Sequence, residues 1–307
     1  MYGRNRGVTM IDKVKIRAEG GNEALAARLE GRTELTSTET GERLKVSGWY
    51  KGLKVDIGSS TRIEGSLTRY FTGSNAASLR WRDLQGAIIS LSEDFNILPE
   101  AATLEYLEVG NTFAMARPPV DYLSELGHLA RFSRTERGRG TTIYYKQQTP
   151  LKSLCFYDKG KEMEKRGEAF PMGVENLLRY ELRLRGQGIS QALPERRLSV
   201  LTDREAYKVL LTRWRDYYNN IQKSARSSRF GGRTSKTELL LGYIGILHKE
   251  QSIETKRFND YIAEATRGNT NGTRYRKELT GLLEGGGNPE LTAELTERIA
   301  ETIAYNC

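Results

Sequence analysis

The stretch LLRYELRLR, residues 177–185, decides how the fold is interpreted. Its leucines and its tyrosine alternate with Arg179, Glu181, Arg183 and Arg185. Side chains of a β-strand point alternately to opposite faces, so one face of this strand packs in a core and the other is strongly cationic. The pattern predicts a sheet with one buried face and one open face. Glu181 among three arginines is also what an ordinary salt-bridged neighbour looks like, and the strand alone leaves that alternative open.

Alternation of apolar and polar residues predicts further strands on both sides of this stretch. Val14 and Ile16 alternate with charged residues, as do Leu53, Val55 and Ile57. A period of two is typical of half-buried strands. The predicted strands lie near residues 13–17, 53–57, 103–109, 141–147, 151–157 and 177–185.

Apolar residues three and four positions apart predict helices between and after these strands. One such stripe lies within residues 75–94, and the proline pair at 118–119 opens a short helix. Thr202 and Glu205 have the spacing of a capping box and precede another helix. Together the elements predict an α+β fold with a central antiparallel sheet, helices on one face, and a small helical C-terminal domain.

A basic segment that contains glycines and serines, KSARSSRFGGRTSK at 223–236, interrupts the pattern. This composition is expected of a flexible linker that contacts phosphates. We therefore predict a large domain at 1–222, the linker, and a helical domain at 237–307 that binds DNA or caps the fold. Asn288 and Pro289 have the residue types of a helix start. The linker cations expected to contact DNA are Lys223, Arg226, Arg229 and Arg233.

Composition limits the class of protein. The chain has 48 Lys and Arg against 39 Asp and Glu, a net charge of +9, which favours a polyanionic partner over ordinary surface charge. No run approaches the roughly 18 apolar residues of a membrane span, and the start lacks a secretory signal, so a cytoplasmic location is expected. Two cysteines and two histidines fit no disulfide framework or His-rich zinc site. Met10 is a second candidate start, which leaves open whether residues 1–9 are native.

The segment SLCFYDKGKEM, residues 153–163, holds the candidate nucleophile. Tyr157 lies where a predicted strand meets a loop, a place where tyrosine is most often a plain core or surface aromatic. Lys159 and Glu162 follow it in a tyrosine-x-lysine-x-x-glutamate run. The spacing alone does not make Tyr157 a nucleophile.

Four ordered blocks resemble the filamentous-phage gene II and gene X replication initiators and the related rolling-circle plasmid initiators. The resemblance covers roughly residues 10–220, and its most specific parts are the Tyr157 run and the Arg179-Tyr180-Glu181 strand. It implies the fold of a rolling-circle nickase, with residues 1–222 as the nicking domain. The implied function is site-specific, metal-dependent nicking and rejoining of origin DNA through a 5′-phosphotyrosine intermediate. The blocks lie at 55–75, 103–123, 141–163 and 177–185.

The resemblance also implies roles for single residues. Tyr157 would attack the scissile phosphodiester, and Lys159 would favour its phenolate, since a phenol with a pKa near 10 is a poor nucleophile at neutral pH. Glu108, Glu181 and Glu162 would hold Mg²⁺ or Mn²⁺, which polarises the phosphate. Glu108 departs from the family, which usually shows an aspartate after arginine and isoleucine.

Several alternatives stay open. Tyr144 and Tyr145 on the preceding strand and Tyr217 and Tyr218 on a later helix compete as nucleophiles. A non-catalytic DNA-binding regulator would explain the charge but not the Tyr157 run, whereas a relaxase or transposase would share the chemistry. The expected partners are origin DNA, as duplex and as a single strand at the nick, and a host helicase and polymerase. The strand cations expected to contact DNA are Arg179, Arg183 and Arg185.

Overall fold

The computed structural model describes residues 10–73, 79, 81–168, 175–223 and 289–306. In these residues ten strands form one sheet in the order β2-β3-β4-β5-β1-β6-β10-β9-β8-β7, and every neighbouring pair is antiparallel. The prediction of one central antiparallel sheet is therefore confirmed. The strands are β1 Ile11–Glu19, β2 Glu30–Thr36, β3 Arg43–Tyr50, β4 Leu53–Ile57, β5 Ser60–Ser66, β6 Thr103–Ala114, β7 Ser133–Arg137, β8 Thr142–Lys146, β9 Lys152–Asp158 and β10 Leu177–Arg185.

The helices follow the sequence pattern in their positions and differ from it in their ends. The helix predicted within 75–94 covers Trp81–Phe95, and the helix after the proline pair begins at Pro119. The last helix begins at Pro289 as predicted, while Asn288 lies outside the described residues. The described helices are α1 Glu23–Ala26, α2 Leu67–Thr72, α3 Trp81–Phe95, α4 Pro119–Ser124, α5 Lys159–Lys165, α6 Gln187–Ser190, α7 Arg204–Asn219 and α8 Pro289–Asn306.

The capping box predicted at Thr202 is wrong. Thr202 ends a short 3₁₀ turn that begins at Leu198. Asp203 caps α7 instead, because its Oδ1 accepts from the backbone N–H groups of Glu205 at 2.8 Å and Ala206 at 3.2 Å. Asp203, one residue after Thr202, caps the helix because any short side-chain oxygen at the cap position can accept from these free N–H groups.

The core lies between one face of the sheet and the helices. Tyr180 of β10 stacks on Phe156 of β9, with ring centroids 4.2 Å apart, and on Trp214 of α7 at 4.7 Å. Its hydroxyl donates to the Trp214 carbonyl at 2.8 Å, which satisfies the buried polar group. Burial of each such aromatic stabilises the fold by about 1.5–3 kcal/mol. The opposite side of β10, with Arg179, Glu181 and Arg183, belongs to what we call the open face.

Helix α8 packs in the same core as the sheet. Leu291, Leu295 and Ile299, one turn apart, are all buried in it. The helix contacts α7 and α4, and Thr302 accepts a hydrogen bond from Asn111 of β6 at 2.9 Å. The predicted linker and domain boundary fall mainly in residues 224–288, outside the described residues, and the division into domains stays a prediction.

Four strands were not predicted from the sequence, namely β2, β3, β5 and β7. The strands β2 and β7 form the two edges of the sheet, and neither contains a buried residue. A strand that buries nothing shows no apolar alternation, so the pattern that revealed β10 is missing there. None of the described helices is long and apolar enough to cross a membrane.

Candidate active site on the open face

The antiparallel register of the central strands builds the candidate site. Arg179 on β10 lies opposite Tyr157 on β9, and Arg183 lies opposite Glu108 on β6. Directly opposed residues share a face, so these four side chains meet Glu181 on the open face. The structure thus brings together residues from segments that lie far apart in the sequence.

Tyr157 is hydrogen-bonded to the central carboxylate of this cluster. Its hydroxyl donates to Oε1 of Glu181 at 2.9 Å. Burial, followed by the negative charge of Glu181, raises the pKa of Tyr157 far above its usual value. The phenol therefore keeps its proton in this arrangement, and the hydrogen bond already joins that proton to a carboxylate.

Glu181 is ionised although it is only 2% exposed. Burial alone would raise its pKa, but the charges of Arg179 and Arg183 outweigh burial and hold the pKa below the usual value. Arg179 Nε donates to Oε1 at 2.6 Å, and Arg183 donates to Oε2 from Nε at 3.0 Å and Nη2 at 2.6 Å. Removing either arginine would leave a buried charge less compensated.

Glu108 joins the cluster from β6. It is 7% exposed, and Tyr106 donates to its Oε2 at 2.8 Å. Its oxygens lie 3.4 Å from Nε of Arg183 and 3.7 Å from Nη2 of Arg179. Burial and the nearby charge of Glu181 raise the pKa of Glu108. Glu108 is one methylene longer than the aspartate expected at this position. It still lies beside Arg179 and Arg183, the two arginines that contact Glu181.

Asp12 is a member of the cluster that the sequence did not reveal. Arg179 Nη2 donates to its Oδ2 at 2.8 Å, and Ser66 donates to its Oδ1 at 2.6 Å. If side chains alternated strictly along β1, Asp12 and Lys13 would point to different faces of the sheet. The pairing of β1 with β6 shifts register between Ile11 and Val14, and such an irregularity re-aims side chains. No local pattern in the sequence signals this.

Lys159 and Glu162 lie just beyond Tyr157, in α5. Lys159 Nζ donates to Glu162 Oε2 at 2.5 Å, and Arg166 Nη2 approaches Oε1 of the same residue at 2.6 Å. Among the described residues no group of three or more His, Cys, Asp or Glu side chains is arranged to hold a metal ion. Glu108 and Glu181 are thus brought together, whereas Glu162 is paired within its own helix.

Comparison with known proteins decides the family. Residues 10–200 match the family model for the N-terminal region of the replication-associated protein of the phage gene II type. The chain belongs to this family. The resemblance seen in the sequence is thereby confirmed, and membership places the protein in DNA replication with origin DNA as its implied partner.

The chain is also similar to several solved structures, and one of them is a replication initiator. It is the rolling circle replication initiator protein from Geobacillus stearothermophilus, with 14% identity over 75% of this chain and 89% of that chain, and a TM-score of 0.40. A comparison with curated proteins finds no match.

Two glutamates of the gene II-type protein have the donor chemistry that Mg²⁺ or Mn²⁺ prefers. Both ions bind carboxylate oxygens, and Glu108 and Glu181 present them from adjacent strands. In the present arrangement these oxygens bond to Arg179, Arg183 and the hydroxyls of Tyr106 and Tyr157. An ion can enter only if the guanidinium groups release part of these bonds.

The cations predicted to contact DNA have different positions. Arg185 is exposed on the open face, with its guanidinium 5.1 Å from the centre of the Tyr106 ring. Lys223 instead donates to the Tyr218 carbonyl, and its Nζ lies 3.8 Å from that ring's centre. Burial lowers the pKa of Lys223 to about 8. The linker residues Arg226, Arg229 and Arg233 lie outside the described residues.

The competing tyrosines Tyr144 and Tyr145 differ in their burial. Tyr145 is fully buried, and its hydroxyl donates to the Gly127 carbonyl at 2.7 Å. Tyr144 lies on the open face opposite Cys155, with Arg137 and Lys146 near its ring. Tyr144 is therefore the relevant control for Tyr157, because it shares the face and the cationic surroundings.

Proposed function

We propose that this protein initiates rolling-circle replication by nicking origin DNA with Tyr157 and staying attached to the new 5′ end. The observation that carries the proposal is the 2.9 Å hydrogen bond from the Tyr157 hydroxyl to Glu181, between two arginines on the open face. Membership in a family of replication-associated proteins supports a role in DNA replication. The tyrosine chemistry and the metal requirement are our own inference from the arrangement.

The first step is an exchange of partners by the arginines. Arg179 and Arg183 now bond to the Glu181 carboxylate, and the two non-bridging oxygens of a phosphodiester can accept the same guanidinium hydrogen bonds. As the guanidinium groups turn to the phosphate, Glu181 loses the charges that lower its pKa. Glu181 then accepts the Tyr157 proton along the existing hydrogen bond.

The second step is phosphoryl transfer. The Tyr157 oxygen forms a bond to phosphorus, the bond from phosphorus to the 3′ oxygen breaks, and that oxygen takes up the proton that Glu181 accepted from Tyr157. The arginines stabilise the charge that develops on the phosphate oxygens. The phosphotyrosine ester keeps the energy of the broken bond, so attack by a 3′ hydroxyl rejoins the strand without ATP.

A divalent ion would polarise the phosphate and stabilise the leaving oxygen. Glu108 and Glu181 are the groups that would hold it. Glu162 stays a proposed third ligand and would have to leave Lys159 and Arg166. Lys159, once released, would be free to stabilise the phenolate.

The remaining partners are also proposals. Duplex origin DNA would bind the basic segment at 223–236 and the C-terminal helices through phosphates, which gives affinity and register more than base identity. A host helicase and polymerase would act on the free 3′ end after the nick.

The test is to map the residue that becomes linked to DNA. Supercoiled and end-labelled origin substrates are incubated with Mg²⁺ or Mn²⁺, and adducts are resolved on denaturing gels. Tyr157→Phe keeps the ring and its packing, so we expect normal binding with neither nick nor adduct. Tyr144→Phe on the same face should still form the adduct.

Other outcomes would change the proposal. A robust adduct from Tyr157→Phe would move the nucleophile to one of the neighbouring tyrosines. Binding without any nick by the parent protein would favour a non-catalytic regulator. A nick at a transfer origin would favour a relaxase with the same chemistry.

A further inference from the structure

An exposed tryptophan lies on the open face, far from Tyr157. Trp49 of β3 is 51% exposed, although Val46 and Tyr50 on the same strand are buried. Its neighbours on the adjacent strands, by register, are Glu30 of β2 and Lys54 of β4. About half of the Trp49 side chain therefore presents a flat aromatic surface to solvent.

The register extends this position into one row that crosses the sheet. Each residue lies directly opposite the next on a neighbouring strand, so all of them share the open face. We call the set the Trp49 row. From β3 to β10 it consists of Trp49, Lys54, Glu64, Lys15, Tyr106 and Arg185.

The row is cationic as well as aromatic. The Glu64 carboxylate is paired with Lys13 at 2.8 Å and Lys15 at 3.6 Å. Lys54 and the nearby Arg62 are exposed and show no ion pair within the described part of the chain. Free cations beside a flat aromatic suit phosphates and bases together.

We propose that the Trp49 row binds single-stranded DNA, with Trp49 as a base-stacking platform. The inference rests on the proposed function, because it extends the DNA path from the Tyr157 cluster along the open face. Trp49 lies six strands from Tyr157 in the sheet order, which at about 4.8 Å per strand is roughly 29 Å across the sheet. Along the strands the row meets β10 at Arg185, six residues from Arg179, which lies opposite Tyr157. That span fits the site sizes of roughly 4–16 nucleotides found in single-strand-binding folds.

Single-stranded DNA suits this surface better than a protein does. The centres of protein interfaces are depleted of charged residues, whereas Trp49 lies between charged neighbours in its row. Duplex DNA has its bases stacked inside and offers phosphates, which need no tryptophan. A single strand offers both unstacked bases and phosphates.

The test measures binding of the full chain to an oligothymidine of about 20 nucleotides. EDTA is present, so cleavage does not contribute and failure of the proposed nicking chemistry is scored separately. We expect Trp49→Ala to weaken binding about five- to 150-fold, the factor that corresponds to loss of one stacked base. Trp49→Phe should retain most of the affinity and lose the tryptophan fluorescence quench that binding causes.

Leu35→Ala is the matched control. Leu35 is 58% exposed on the same face of the neighbouring strand and has no ring to stack. Its removal should leave affinity unchanged. Parent-like binding by Trp49→Ala, or equal losses from both alanine variants, overturns the proposal. Unchanged DNA affinity with loss of a dimer on size-exclusion chromatography would overturn it in favour of an interface between copies.

Discussion

Replacing Leu295 by alanine should destabilise the whole sheet, although this residue lies in the predicted C-terminal domain. Leu295 is 1% exposed and packs in the same core as the strands. Truncating a buried leucine to alanine costs about 2–5 kcal/mol. For a domain of this size that lowers the melting temperature by about 4–20 °C. Ile299→Ala in the same protein should lower it further.

The assay is thermal unfolding followed by far-UV circular dichroism, together with nicking of a short single-stranded substrate. Glu297→Ala serves as the control, because Glu297 is exposed on the same helix and should change stability by no more than about 0.5 kcal/mol. We expect one cooperative transition that shifts with Leu295→Ala. If Leu295→Ala leaves the melting temperature of the sheet unchanged, α8 does not pack against the sheet, and residues 237–307 form an independent domain.

Four further outcomes test the active site. Gly110→Ala should slow nicking about tenfold or more. The added Cβ would lie 2.8 Å from the Tyr180 carbonyl oxygen and 2.9 Å from Glu181 Cγ, and overpacking of this kind costs about 1–3 kcal/mol. An unchanged rate would contradict this prediction. Glu181→Gln should abolish nicking and keep or strengthen DNA binding, because a carboxylate repels phosphate unless an ion lies between them; Glu108→Gln should follow, and parent-like nicking by both would remove the proposed metal site. Chelation by EDTA should stop nicking without lowering the melting temperature, so nicking in EDTA would exclude the divalent ion. Arg185→Ala should weaken binding equally for all sequences and reduce the salt slope by about one; an unaltered slope would place Arg185 off the DNA path.

Most residues of the candidate site could be named from the sequence. Alternation in residues 177–185 indicated the open, cationic face, and the run after Tyr157 singled out one tyrosine among 16. The structure places Tyr157, Glu181 and Glu108 together as that interpretation requires. It pairs Glu162 with Lys159 instead, and the metal site stays a proposal.

The sequence by itself determined what depends on near neighbours in the chain. The alternation of strands, the helix stripes and the proline that opens α8 are all set within a few residues. A strand that buries one face must alternate apolar and polar residues, so this pattern can be seen in the sequence.

Only the tertiary structure decided which distant residues meet. The partners of Arg179 include Asp12, 167 residues away, and a register shift in β1 creates that contact. Tyr144 and Tyr145 are adjacent in the chain, yet one lies on the open face and the other is buried against Gly127. Strand register is fixed by pairing between segments far apart in sequence, and a shift of one residue reverses the face of every side chain. For this reason the cluster's composition could be anticipated, while its bonds could not.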